Sequence, residues 1–248
     1  MSASLTIDGT VARLNLERPD SLNALNREVA SALEGALKRL ERAADVTVVI
    51  VAGRGRAFCA GNDIAEMPTL TPVEARAVSR RWQTIMDRFA RLPQVTIAAV
   101  RGYALGGGCM LAAAQDLRVA EESARFGLPE VTLGFNPSYG IGRILDVMGG
   151  GPARDLLLTG RSMDAAEALR LGLVNRVVPD GTLEAAVEEL AADVARHPRG
   201  GLSATKAIVA DLRAGKAGNA AQAYAAALRS DPAALARIAD FVAKRRKG

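Results

Sequence analysis

The chain has almost no material for side-chain nucleophiles or metal centres. It has one histidine, His197, and two cysteines, Cys59 and Cys109, in 248 residues. His197 lies far along in a helical region, so a Cys–His catalytic pair is not expected. Two cysteines make no disulfide framework, and they read as small apolar packing residues in a reducing, cytoplasmic setting. No His/Cys/Asp/Glu pattern with metal-ligand spacing is present, so no metal site is expected. Aromatic residues are 4% of the chain. That is little base-stacking material, so the formal charge of +5 and the tail Lys244-Arg245-Arg246-Lys247 do not point to nucleic acid. No apolar run approaches a membrane-spanning length. The first residues lack a basic start followed by an apolar stretch, so no signal peptide is expected. Repeats and low-complexity linkers are also missing.

What is present suits a packed α/β domain. Hydrophobic residues make up 49% and charged residues 24%, and the length allows a sizeable core. Val46-Thr47-Val48-Val49-Ile50-Val51 and Val95-Thr96-Ile97-Ala98-Ala99-Val100 are short, apolar and partly β-branched, and read as buried strands. The second leads into Gly102-Tyr103-Ala104-Leu105-Gly106-Gly107-Gly108-Cys109-Met110, followed by small residues with no breaker. The triple glycine therefore sits at a strand-to-helix turn. A phosphate loop is excluded, because no Gly-Lys-Ser/Thr follows. A dinucleotide fingerprint is excluded too, because Gly106, Gly107 and Gly108 are contiguous. On spacing alone the glycines read as letting a helix pack closely on a sheet. A helix N-terminus with unpartnered N–H groups is the alternative.

The other elements follow in order. Leu5 to Leu16 reads as a hairpin around Asp8-Gly9. Arg18-Pro19-Asp20-Ser21-Leu22-Asn23-Ala24-Leu25 reads as a turn into a helix ending near Ala43. Pro68 to Thr71 reads as a loop and Pro72 to Arg91 as a long helix closed by Pro93. Leu117 to Ala120 is a strand and Ala124-Arg125-Phe126 a short extended piece. Gly134 to Gly140 is loop-like, with a helix starting near Gly140. Ser162 or Asp164 caps a helix before the stop at Gly172. From Thr182 onward the pattern is helical, interrupted near Pro198 to Gly201 and at Pro232.

Three separated motifs then occur in a fixed order: Ala57-Phe58-Cys59-Ala60-Gly61-Asn62-Asp63-Ile64, the glycine turn, and Phe126-Gly127-Leu128-Pro129-Glu130. With them the chain resembles the crotonase (enoyl-CoA hydratase/isomerase) superfamily over nearly its whole length. The segments Arg18-Pro19…Leu22-Asn23-Ala24-Leu25 and Thr159 to Pro179 match the family as well. The resemblance implies a crotonase-like α/β spiral of β-β-α units. Residues 1–195 would form that core with its CoA site, and residues 196–248 a helical C-terminal trimerisation region. It further implies a coenzyme A thioester as substrate rather than a permanently bound cofactor, and a homotrimer or a dimer of trimers.

By the same resemblance, the thioester enolate is held by two backbone N–H groups, taken to be those of Ala60 and Gly107. Arg18, Ala24, Ala60, Gly61, Asp63, Ile64, Gly106, Met110, Pro129 and Tyr139 are expected around the substrate. Phe241 and Lys244 match a family ending that reaches CoA near a subunit boundary. The residues alone also allow plainer roles. Asp63 suits a helix cap or local turn, and Glu130 suits the start of a helix after Pro129.

One departure is informative. Family hydratases carry two glutamates, and at the first of these positions this chain has Met110. Glu130 occupies the second. Adding water to a double bond is helped by two proton-handling groups, whereas moving the bond needs one base that takes a proton from C2 and returns it at C4. Isomerase relatives often keep the second glutamate alone. Met110 with Glu130 therefore points to an isomerase, with Glu130 as sole base and an apolar pocket raising its pKa. A hydratase or dehydratase is the alternative, as is a CoA-dependent lyase, hydrolase or decarboxylase using Asn136, Ser138 or Tyr139. A non-catalytic acyl-CoA or RNA binder on the same scaffold would be expected to lack Glu130 or the oxyanion turns.

Overall fold

The computed structural model describes residues 2–216, 220–229 and 231–245, of which 67–69, 220 and 243–245 are described by backbone alone. Strands β1 (Ala3–Asp8) and β2 (Val11–Leu16) form an antiparallel hairpin, and the turn needs the left-handed φ of Gly9, +54°. Helix α1 (Arg27–Leu40) follows, its Asn26 cap accepting from Val29 N at 2.9 Å. The residues before it form the turn that the sequence suggested. Leu22 and Asn23 hold φ of 48° and 58°, which a helix cannot continue through. Asn23 is fully buried there and ties the turn down. It accepts from Arg18 N and donates from Nδ2 to Arg54 O and Ala57 O.

Strand β3 (Val48–Gly53) pairs in parallel with β2. After it, a 3₁₀ segment covers Ile64–Thr69 and helix α2 runs over Pro72–Arg91. Thr71 and Glu74 form a reciprocal capping box at its start. Strand β4 (Val95–Val100) pairs with β3, and β5 (Tyr103–Leu105) runs up to helix α3 (Gly107–Ala113). Strands β6 (Leu117–Glu121) and β7 (Arg125–Gly127) lead to a 3₁₀ turn, Pro129–Leu133. Helices α4 (Ile141–Met148) and α5 (Gly150–Thr159), strand β8 (Ser162–Asp164), helix α6 (Ala165–Arg170), strand β9 (Arg176–Val178) and helix α7 (Leu183–Ala195) complete the spiral. The remaining helices are α8 (Arg199–Arg213), α9 (Ala220–Leu228) and α10 (Pro232–Arg245).

Two sheets result. The larger has the order β1-β2-β3-β4-β6-β9, parallel after the first hairpin, and the smaller has the order β5-β7-β8. The small sheet was not legible beforehand. Residues 103–105 read as part of a turn and 162–164 as a helix cap, and only their pairing with β7 makes them strands. Asp164 does both jobs, since its side chain also accepts from Glu167 N at 2.8 Å.

The central strands are buried on both faces, which explains their unbroken apolar sequences. One face packs against α1, α2 and α3 through residues such as Leu33, Leu37, Phe89 and Leu111. The other packs against α7, where Ile50, Ile97 and Val119 meet Leu183, Val187 and Ala191. Helix α8 is fastened to the same body by a buried cation. Lys206 Nζ lies 2.6 Å from Asp116 Oδ2 and 2.8 Å from Gln94 O. Among the described residues no helix is long and apolar enough to cross a membrane.

Candidate active site

The turns after β3 and β5 leave the carboxyl ends of their strands side by side. Residues 58–60 are stitched in by long-range bonds. Phe58 N donates to Arg101 O, Cys59 N to Tyr103 O and Leu105 N to Cys59 O. Ala60 N donates to Leu22 O at 2.9 Å. This corrects one expectation: the Ala60 N–H is committed to the buried 18–25 turn and is not free to hold a substrate oxygen. Two residues on, the geometry differs. Asn62 makes a parallel bridge with Leu25, through Leu25 N to Gly61 O and Asp63 N to Leu25 O. In such a bridge the central residue's own N–H points to the opposite side. Accordingly the Asn62 N–H donates to no described residue.

Gly107 is the first residue of α3, so its N–H has no acceptor within the helix. Gly61, at φ +101°, brings the two turns together. A Cβ there would stand 2.8 Å from Leu105 O and 3.5 Å from Gly107 N. Two unengaged backbone N–H groups, of Asn62 and Gly107, thus come from facing turns.

Both border a cavity of about 460 Å³. It is lined by Ala60, Gly61, Asp63, Ile64, Gly106, Met110, Pro129, Glu130 and Tyr139, all anticipated from the sequence. Trp82, Leu25, Leu133 and Phe135 complete an apolar wall that the sequence did not single out. Three other expected residues stand apart. Arg18 and Ala24 lie behind the wall, Arg18 donating from Nη1 to Ala24 O at 2.6 Å and from Nη2 to Asp63 Oδ2 at 3.0 Å. The Asp63 carboxylate also accepts from Ala65 N, so its bonds are those of a local turn as well as an ion pair. Phe241 is 60% exposed on α10 and does not line the cavity of this chain. The side chain of Lys244 lies outside the described residues.

Glu130 sits in the 3₁₀ turn after β7, where Pro129 starts the turn and Gly134 ends it at φ +77°. Its carboxylate reaches back over the Gly106 backbone. Oε2 is buried and takes no hydrogen bond from any described residue. Burial raises its pKa above the ordinary 4.5, against a smaller opposing effect of its own backbone N–H. Met110, 1% exposed, stands one helical turn beyond Gly106, and Met110 N donates to Gly106 O at 3.1 Å. Tyr139 is buried against Trp82, with ring centroids 6.2 Å apart, and its hydroxyl donates to Asn62 Oδ1. Asn136 and Ser138 have local partners: Asn136 Nδ2 donates to Pro137 O and Ser138 Oγ accepts from Ser79 Oγ. Burial pushes both Cys59 and Cys109 up to about 12, so each stays a neutral thiol near neutral pH. No group of three or more potential metal ligands occurs among the described residues.

A second cavity, about 370 Å³, opens on the α7 side of the large sheet. Its charges are paired off, Arg13 with Glu188 at 2.7 Å, Arg101 with Glu184 at 2.7 Å and Arg54 with Glu17 at 3.2 Å. No unpartnered acid or base is left there to do chemistry, which directs attention to the Glu130 cavity.

Comparison with known proteins gives a consistent picture. A family model described as enoyl-CoA hydratase/isomerase matches residues 6–238. A short-chain-enoyl-CoA hydratase of Clostridium acetobutylicum is 39% identical over 186 residues, covering 74% of this chain and 71% of that one. A putative enoyl-CoA hydratase of Thermus thermophilus is 40% identical over 207 residues, covering 82% of each. The solved enoyl-CoA hydratase of Mycobacterium smegmatis superposes with a TM-score of 0.93 at 31% identity, over 98% of this chain and 97% of that one.

Proposed function

The chain belongs to the enoyl-CoA hydratase/isomerase family of acyl-CoA enzymes, and we propose that within it this enzyme moves a double bond along an enoyl-CoA, with Glu130 as the single proton carrier. The observation that carries the reading is the half-buried Glu130 carboxylate, its Oε2 buried and unpartnered, beside the Gly106-Gly107 turn, with methionine where a second carboxylate would stand. The thioester oxygen accepts from Asn62 N–H and Gly107 N–H, the Gly107 donor adding the field of a helix N-terminus. Glu130 removes a proton from C2 of a 3-enoyl thioester. The electrons move onto the thioester oxygen, giving a dienolate. Protonated Glu130 then returns the proton at C4, leaving the 2-enoyl thioester and a regenerated carboxylate. In other enzymes, deleting one oxyanion donor removes on the order of 3 kcal/mol of barrier lowering. Met110 and the apolar wall partly desolvate the carboxylate, which raises its basicity.

Hydration is the second reading, and the names of the relatives favour it, since those proteins are called enoyl-CoA hydratases. One assay separates the two. The purified enzyme receives a 3-enoyl-CoA and, in a parallel reaction, the matching 2-enoyl-CoA, both in heavy-oxygen water, and products are followed by mass spectrometry. Conversion to the 2-enoyl ester with no heavy-oxygen uptake supports the double-bond shift. Heavy oxygen in a 3-hydroxyacyl product overturns the one-base mechanism.

A further inference from the structure

The Tyr139 hydroxyl donates to the side chain of the residue whose backbone N–H faces the thioester. The pair spans 77 positions of sequence. Its hydrogen-bonded atoms lie over the Cα of Gly107, where a Cβ would collide with both the Tyr139 hydroxyl and Asn62 Oδ1. The two N–H groups and the clamp therefore form one cluster drawn from three separate turns. Tyr139 itself is held firmly. Its ring stacks on Trp82 at 23° between planes, and both rings are at least 95% buried. The adjacent backbone is pinned to α2 by Gly140 N donating to Gln83 Oε1 at 2.9 Å, and by the Ser79–Ser138 hydroxyl pair at 2.8 Å. Asn62, in contrast, sits in a turn fixed by a single-residue bridge.

We propose that Tyr139 is a positioning residue: by holding Asn62 Oδ1, its hydroxyl sets the direction in which Asn62 N–H meets the thioester oxygen. It acts through Asn62 and touches no reacting atom. The proposal rests on the oxyanion reading above. An N–H turned away from the oxygen stabilises the ground-state ester little less but the developing enolate much less, because the charge is concentrated on that oxygen in the transition state. Loss of the clamp therefore lowers kcat more than it raises KM. Burial pushes the phenol further above its ordinary pKa, so it remains a neutral donor throughout the working range.

The test compares wild type, Tyr139→Phe, Asn62→Ala and the double variant. Turnover is measured on a 3-hexenoyl-CoA. Independently of turnover, each protein binds 4-dimethylaminocinnamoyl-CoA, a push–pull chromophore whose absorption moves to the red when its thioester oxygen is hydrogen-bonded. The one tryptophan, Trp82, reports by fluorescence whether the ring-139 stack survives. Tyr139→Phe is expected to keep the Trp82 emission and to bind the chromophore within about threefold of wild type, while kcat falls on the order of tenfold to a hundredfold. Its red shift should shrink, Asn62→Ala should behave alike, and the double variant should be no worse than either. Unchanged kcat and red shift in Tyr139→Phe overturn the proposal. So do additive losses in the double variant, or weakened binding with kcat unchanged, which would mean that Tyr139 touches the substrate directly. A wild type that binds the chromophore without a red shift also overturns it. A wild type that shifts the chromophore but does not convert the 3-enoyl ester sinks the isomerase reading alone, and the variants' red shifts still decide on Tyr139. If Tyr139→Phe fails to fold, Asn62→Ala carries the same comparison.

Discussion

The Glu130 carboxylate rests on the Gly106 backbone, with Oε1 3.1 Å from the point a Cβ on residue 106 would occupy. Gly106 adopts φ +51°, ψ −125°, which residues with a side chain rarely enter. The proposed base thus lies against the glycine turn, in space that a side chain on residue 106 would need.

Gly106→Ala should therefore act twice. The backbone conformation costs about 1–3 kcal/mol of stability, and the new methyl displaces the carboxylate from the line of the substrate. Denaturant unfolding should show the first effect. A drop in kcat that persists under fully folded conditions should show the second. A folded variant with wild-type kcat would mean that the contact does not matter to catalysis.

Glu130 also couples activity to pH. Its folded-state pKa lies above 4.5 because burial disfavours the charged form. As the proposed base it must be deprotonated, so kcat should rise with pH through that elevated value and then level off. Stability runs the opposite way. Between the unfolded and folded pKa values the native state binds more protons, so unfolding free energy declines as pH increases. Glu130→Gln should abolish turnover and be more stable than wild type at neutral pH, with the difference closing at pH below the ordinary carboxylate range. Equal stability of the two proteins at every pH would contradict this account.

Lys206 is the anchor of α8, 7% exposed at its side chain and 2.6 Å from Asp116. Asp116 Oδ2 also accepts from Thr96 N and Thr96 Oγ1 of β4. Lys206→Met strands a partly buried carboxylate and the Gln94 carbonyl, and should cost roughly 3 kcal/mol. Adding Asp116→Asn should recover part of the loss, because the uncompensated charge is gone. Chemical denaturation measures both, and a loss of only a few tenths of a kcal/mol would show that α8 is held by something else.

Local sequence was informative wherever local physics decides. Pro72 announces the start of α2, Asp8-Gly9 announces the first hairpin, and the apolar runs of β3 and β4 announce buried strands. The positions of Glu130 and Gly107 were legible because their motifs occur in a fixed order. The raised pKa of Glu130 was foreseen from an apolar pocket holding Met110, and the residue is half-buried there. The turn before α1 was legible, but the left-handed conformation of Leu22-Asn23 was not, because it depends on Asn23 bonding to residues 54 and 57, which no helical period encodes. Ala60 was misassigned for a related reason: whether its N–H is free depends on Leu22 O.

Sequence alone determined the alternation of strands and helices, the glycine turn that admits a second backbone, and the presence of Glu130 with methionine at position 110. Those features follow from side-chain size, branching and chemistry at each position. Tertiary structure decided which N–H groups remain without acceptors, that residues 103–105 and 162–164 join a second sheet, and that Tyr139 holds Asn62. Each of these is settled by a hydrogen-bond partner distant in sequence, and every backbone amide offers the same donor whatever its side chain.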